Sequence, residues 1–217
     1  GVAVRWAIEV GDAHLALDLI GYGQWYWILE SDWQPFSRWV DEVLSAFGDR
    51  FPRGRATTHA CCLFQRVMVG EENRDTALRR FQEIEGVLAT EGERPEDHHV
   101  LVHGVFYMAM LEEDLGPYHQ RLRAALEHSD PWIRAMVGAL LAVLETIRGR
   151  VGLSREYAEA SLAGFRALGD VWGRCQALAQ VADARRYDDG ERVLRLLDES
   201  THLAVEGGLT GMASNLR

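Results

Sequence analysis

The sequence predicts an all-α protein made of successive antiparallel helix pairs. Apolar residues recur at i, i+3, i+4 and i+7 through most of the chain, and no stretch sustains an alternation of period two. Between the periodic stretches stand Gly11-Asp12, Gly48-Asp49, Glu91 to Asp97, Ser129-Asp130-Pro131, Gly169-Asp170 and Gly207-Gly208. Each supplies a glycine to end one helix or an Asp or Ser to cap the next. The resulting helices run over about 12–29, 33–47, 55–69, 73–90, 96–112, 115–128, 131–149, 153–168, 171–186 and 190–206. The chain also opens inside an apparent helix, Val2 to Val10, and stops just after another begins at Leu209, which reads as part of a longer protein.

The spacing of small and apolar triplets adds a repeat. Every second helix carries one at i, i+4 and i+7: Phe36/Val40/Val43, Ala77/Phe81/Ile84, Tyr118/Leu122/Ala125, Ala158/Leu162/Phe165 and Val193/Leu197/Ser200. Their first members lie 41, 41, 40 and 35 residues apart. A period in the thirties to forties is that of a solenoid, in which each helix pair buries its apolar face against its neighbours. Trp132 and Trp172, 40 apart and each two residues after an Asp, read as repeat-defining packing residues.

Composition narrows the function. Of the 217 residues, 47% are apolar, as in folded soluble proteins. Acidic residues outnumber basic ones 33 to 23, for a formal charge of -10, so the averaged field repels phosphate backbones and anionic lipid headgroups. No apolar run approaches the roughly 20 residues a membrane helix needs. Every basic residue is an arginine. A Walker A loop, a kinase phosphate-contacting lysine and Schiff-base chemistry all need a lysine, so the chain holds none of them. Cys61, Cys62 and Cys175 form neither a disulfide framework nor a zinc spacing, which suits a reducing cytoplasm.

The triplets match the Ala-x3-Phe-x2-Ala pattern with which the second helix of a tetratricopeptide repeat packs on the first, with helices or loops longer than the usual 34-residue period allows. Armadillo and HEAT arrays share the architecture. The run Arg5-Trp6-Ala7-Ile8-Glu9, Gly11-Asp12, Leu15-Ala16-Leu17 with Leu19, Trp25-Tyr26-Trp27 and Trp39-Val40-Asp41 with Leu44 resembles the helical region behind the ATPase module of large bacterial transcriptional regulators. These regulators are of the antibiotic-regulatory-protein type and related signal-transduction ATPases. Phe165-Arg166-Ala167-Leu168-Gly169-Asp170-Val171-Trp172-Gly173-Arg174 is similar to a repeat junction of the same family. The resemblance covers residues 3 to 47 and 154 to 206; Glu30-Ser31-Asp32 and the His- and Met-rich middle depart from it. It implies that residues 1–217 are one tetratricopeptide-like sensor domain, a right-handed superhelix of about five helix pairs. Its partners would be a protein, a peptide or other domains of the same polypeptide, with a small-molecule effector as the alternative.

Candidate binding residues follow from helical spacing. Glu96, His99 and His103, with Tyr107 one turn further, share a helix face. Imidazoles a turn apart beside a carboxylate could hold a divalent metal. One helix rarely closes such a site, however, and no fourth ligand can be named, so a polar stripe lining a groove accounts for the face with no metal or cofactor. Trp25 and Trp27 lie about 200° apart on a helix, so one belongs to the core and the other to a groove, a neighbour or solvent. With Arg66 they complete the groove candidates Trp25, Trp27, Arg66, His99, His103 and Tyr107. His59 and Cys62 at i, i+3 would pair a base with a thiol, but no oxyanion feature accompanies them, and a buried structural cysteine explains the pair. Gly21-Tyr22-Gly23 lies within a helical pattern, so helix packing explains its glycines rather than a dinucleotide loop. The reading is of a binding domain and not an enzyme. Duplex DNA should not be retained at physiological salt in a mobility-shift assay. Retention that fell steeply with added salt would mean that a local arginine surface outweighs the net charge.

Overall fold

A computed structural model describes residues 1–30, 33–47, 58, 62, 75–76, 78–79, 81–82, 85–86, 98–111, 115–186 and 190–215. Among these residues the protein is all-helical and has no strand. The helices are α1 (Val2–Glu9), α2 (Ala13–Glu30), α3 (Trp33–Phe47), α4 (His98–Leu111), α5 (Pro117–Ala124), α6 (Pro131–Ile147), α7 (Val151–Leu168), α8 (Val171–Ala184), α9 (Gly190–Glu206) and α10 (Thr210–Asn215). A 3-10 turn, Ala125–Glu127, follows α5. Among the described residues no helix is long and apolar enough to cross a membrane. The chain divides into two compact units, 1–104 and 105–217.

Helix ends follow the expected residues and show how they act. Gly11, Gly149, Gly169 and Gly208 all have φ near +70°, a left-handed conformation that a Cβ disfavours. At each the chain reverses with the same paired bonds. Gly169 N–H donates to Arg166 O and Asp170 N–H to Phe165 O; Gly208 repeats this to Val205 O and Leu209 to Ala204 O, and Gly11 and Asp12 do so to Ile8 O and Ala7 O. Gly149 therefore stops α6 at Ile147, two residues before the expected end. Asp12, Asp130 and Asp170 then cap the helices that follow, accepting from the N–H groups of Leu15, Trp132 and Gly173. Pro117 at the first position of α5 sets its start, and the 3-10 turn tightens its last residues.

In the first unit α1, α2 and α3 pack on one another around Val4, Ala7, Ala16, Leu17, Ile20, Phe36, Val40, Val43 and Cys62. The triplet Phe36/Val40/Val43 is buried throughout, as its spacing requires. Phe81 is buried too, while Ala77 and Ile84 lie outside the described residues. Helix packing also accounts for Gly21, where a Cβ would stand 3.2 Å from Thr58 Oγ1.

The second unit repeats itself. Helix α6 packs on α7 and α8, α8 on α7 and α9, and α9 on α10. The triplet Ala158/Leu162/Phe165 is buried on α7, as are Leu122 and Ser200; Tyr118, Ala125, Val193 and Leu197 are half-buried. Ser161 Oγ donates to Ala135 O across the α6–α7 contact at 2.7 Å, and Ser200 Oγ to Cys175 O across α8–α9 at 3.0 Å. Ala135 and Cys175 are 40 residues apart and the serines 39, so one bond recurs in both helix pairs. Trp132 and Trp172, also 40 apart, stack with centroids 6.5 Å apart, and Trp132 Nε1 donates to Asp170 Oδ2 at 3.1 Å. The cap of one pair thus holds the indole of the pair before it.

Small residues permit these contacts. A Cβ on Gly164 would stand 3.0 Å from that of Ala135, and one on Gly138 3.2 Å from that of Ser161. At Gly173 a Cβ would come within 2.2 Å of the ring of Phe165, which is fully buried and cannot withdraw. Replacing Gly173 by Ala should therefore lower stability by about 1–3 kcal/mol through overpacking, against the helix-propensity gain of up to ~1 kcal/mol that Ala otherwise brings. Gly152, exposed in the first turn of α7 with nothing within 4 Å of its Cβ position, is the control: Gly152→Ala should raise the melting temperature slightly. Equal responses of the two variants in thermal melts would contradict this packing.

Candidate functional site

The sequence-derived groove candidates occupy helical backbone where they are described. Positions 25 and 27 lie on α2 and positions 99, 103 and 107 on α4; the side chains of Trp25, Trp27, His99, His103 and Tyr107 lie outside the described ones. Arg66, Glu96 and His59 lie outside the described residues altogether. On α4 the backbone register puts 99, 103 and 107 on a common face. Val105 and Met108, which the same register puts off that face, are buried.

Among the described residues, no group of three or more His, Cys, Asp or Glu is placed to hold a metal ion. Cys62 is fully buried, and burial pushes its thiol up to about 12. Burial also raises the Cys175 thiol, outweighing the opposing hydrogen bond with the Ser200 side chain. Neither carries appreciable thiolate at neutral pH, so both are structural.

Two polar assemblies emerge instead. In the first unit an open groove of about 660 Å³ runs between α1 and α3, with Ile8 and Ala46 as apolar lining and Arg5, Glu9, Arg38, Asp41 and Glu42 as charged rim. Arg5 Nε and Nη2 meet Glu42 Oε2 and Oε1 at 3.2 and 3.3 Å, a two-pronged pair that bridges the two helices. With Arg5 65% exposed at its side chain, the pair contributes little to stability. The groove presents both signs of charge at an accessible surface.

The second assembly lies inside the other unit. His119 on α5 and Glu145 on α6 are both about 2% exposed, with His119 Nε2 2.8 Å from Glu145 Oε1. Arg150, just beyond α6, donates its Nε–H to Glu145 Oε2, and only 30% of its side chain reaches solvent. Nearby, Ser154 Oγ donates to Ala142 O at 2.9 Å, and Arg148 Nη2 to Ala109 O at 2.8 Å. Burial would raise the Glu145 carboxyl, but hydrogen bonds from Arg150 and His119, with attraction to their charge, hold it below the ordinary glutamate range. This buried cluster joins α5 to the α6–α7 turn. It has no open face toward a substrate: both residues of its central pair are buried and both Glu145 oxygens are occupied.

Sequence reasoning passed over this cluster, although a signal was present. Glu145 is the sole charge in the apolar run from Ala135 to Ile147. An acid so placed is seldom buried without a partner. Which residue partners it depends on a contact across 26 positions.

No protein-family model, curated protein or solved structure matches the chain.

Removing one member of the buried cluster leaves the others uncompensated, so Glu145→Ala should cost about 3–5 kcal/mol in denaturant unfolding. Exchanging His119 and Glu145 together for leucines should cost less than that, because Arg150 can turn to solvent. A carboxyl held lower in the folded than in the unfolded chain adds stability above the unfolded value and loses it as pH falls through the folded one. Acid melting should accordingly be shallower in Glu145→Gln than in the parent; identical acid limbs would show that Glu145 carries no such linkage. Cys62 and Cys175 should resist alkylation by iodoacetamide until the chain is unfolded, as mass spectrometry of quenched samples would show.

Proposed function

We propose that the chain is a helical-repeat binding domain of tetratricopeptide type that serves as the sensor or scaffold of a multidomain bacterial transcriptional regulator, with no catalysis of its own. The observation that carries this reading is the recurrence, at 39 to 40 residues, of one set of contacts in the second unit. The Ser161 and Ser200 bonds, the Gly169 and Gly208 reversals and the stacked Trp132 and Trp172 belong to it. Met212, 40 residues beyond Trp172, is buried and packs in the same cluster as that tryptophan. A repeat unit that cannot bury its own apolar faces is stabilised by the next one, and arrays built this way offer extended surfaces to peptides, partner helices or neighbouring domains. On this reading α6–α7 and α8–α9 are two of the about five pairs of a right-handed array.

The regulatory part of the proposal rests on the resemblance of residues 3 to 47 and 154 to 206 to such regulators. The binding surface is assigned to the faces bearing Trp25 or Trp27, Arg66, His99, His103 and Tyr107, where a protein segment or a small-molecule effector would contact aromatic, imidazole and guanidinium groups.

Thermal-shift screening of the chain against peptides and metabolites tests it, since a ligand at 100 times its dissociation constant stabilises by ~2.7 kcal/mol. The double change His99→Ala, His103→Ala should weaken that shift while altering the melting temperature of the free chain little, as exposed positions cost within ~0.5 kcal/mol. Destabilisation of the free chain by more than ~2 kcal/mol would make the two histidines hydrogen-bonded core and remove the groove assignment. Zinc that raised the melting temperature of the parent but not of the double variant would favour a metal site. Turnover of any screened metabolite, abolished by either histidine change, would overturn the non-catalytic reading. The coding sequence flanking this segment gives a separate test of the regulatory context: it should encode a nucleotide-binding module.

A further inference from the structure

We draw no further inference here: the strongest candidate, the exposed apolar stripe of Val2 and Trp6 on α1 with Val10 just beyond it, beside the charged groove between α1 and α3, carries nothing because nothing in the structure shows what covers it.

Discussion

Close approach of neighbouring helices is the constraint on which the second unit depends. Where α6 crosses α7 the facing residues are Ala135, Gly138, Ser161 and Gly164, and where α7 meets α8 the ring of Phe165 lies directly on Gly173. Backbones brought this near leave a helix carbonyl within reach of a hydroxyl on the facing helix. Ser161 and Ser200 use that reach, each satisfying its own buried oxygen without recruiting a second polar side chain. Had Ala135, Gly138 or Gly164 carried a leucine, α6 and α7 would stand further apart and Ser161 would lose its acceptor. The small residues are thus as necessary to the repeat as the large ones, and the recurrence of the serine bond follows from the recurrence of the spacing.

Asp170 shows how one junction serves two pairs. Its Oδ1 caps α8 through Gly173 N–H, and its Oδ2 accepts from the indole of Trp132 at the start of α6. A capping carboxylate is ordinarily a local device, satisfying the free N–H groups of its own helix. Here the second oxygen converts it into a link between successive pairs, and the stacked face of Trp172 against Trp132 completes the contact. The edge-on approach of Trp132 to Phe165, 6.2 Å between centroids, brings α7 into the same aromatic cluster.

The buried ionic cluster follows different logic. Removing a carboxylate from water is costly unless its lone pairs are occupied, and Glu145 meets that condition with one imidazole and one guanidinium. Arg150 is held close by the reversal at Gly149, where its own backbone N–H donates to Glu145 O. The turn that ends α6 thus delivers the cation that neutralises the acid near the end of α6. The cluster ties α5, a short helix, to α6: His119 and Leu122 are its buried residues, and His119 meets Glu145. The open groove of the first unit contrasts with it in every respect, being accessible, mixed in charge and weakly bridged.

The helical class, the Gly-Asp reversals after α1 and α7 and the inward faces of the triplets on α3 and α7 are legible in the sequence, because these are local properties. A left-handed glycine, an Asp one residue later and an apolar period of 3.6 act within a turn or two of the chain. Phe36, Val40, Val43, Ala158, Leu162 and Phe165 are buried for that reason, and the pairing of Trp132 with Trp172 was visible as a spacing of 40. That Asp170 reaches Trp132, that Ser161 and Ser200 face carbonyls rather than solvent, and that Glu145 meets His119 come from the packing of helix on helix. Each is a contact between helices, set by crossing distance and by which residues are small at the crossing. That information lies in the pairing of two surfaces, and a periodicity read along one helix does not contain it.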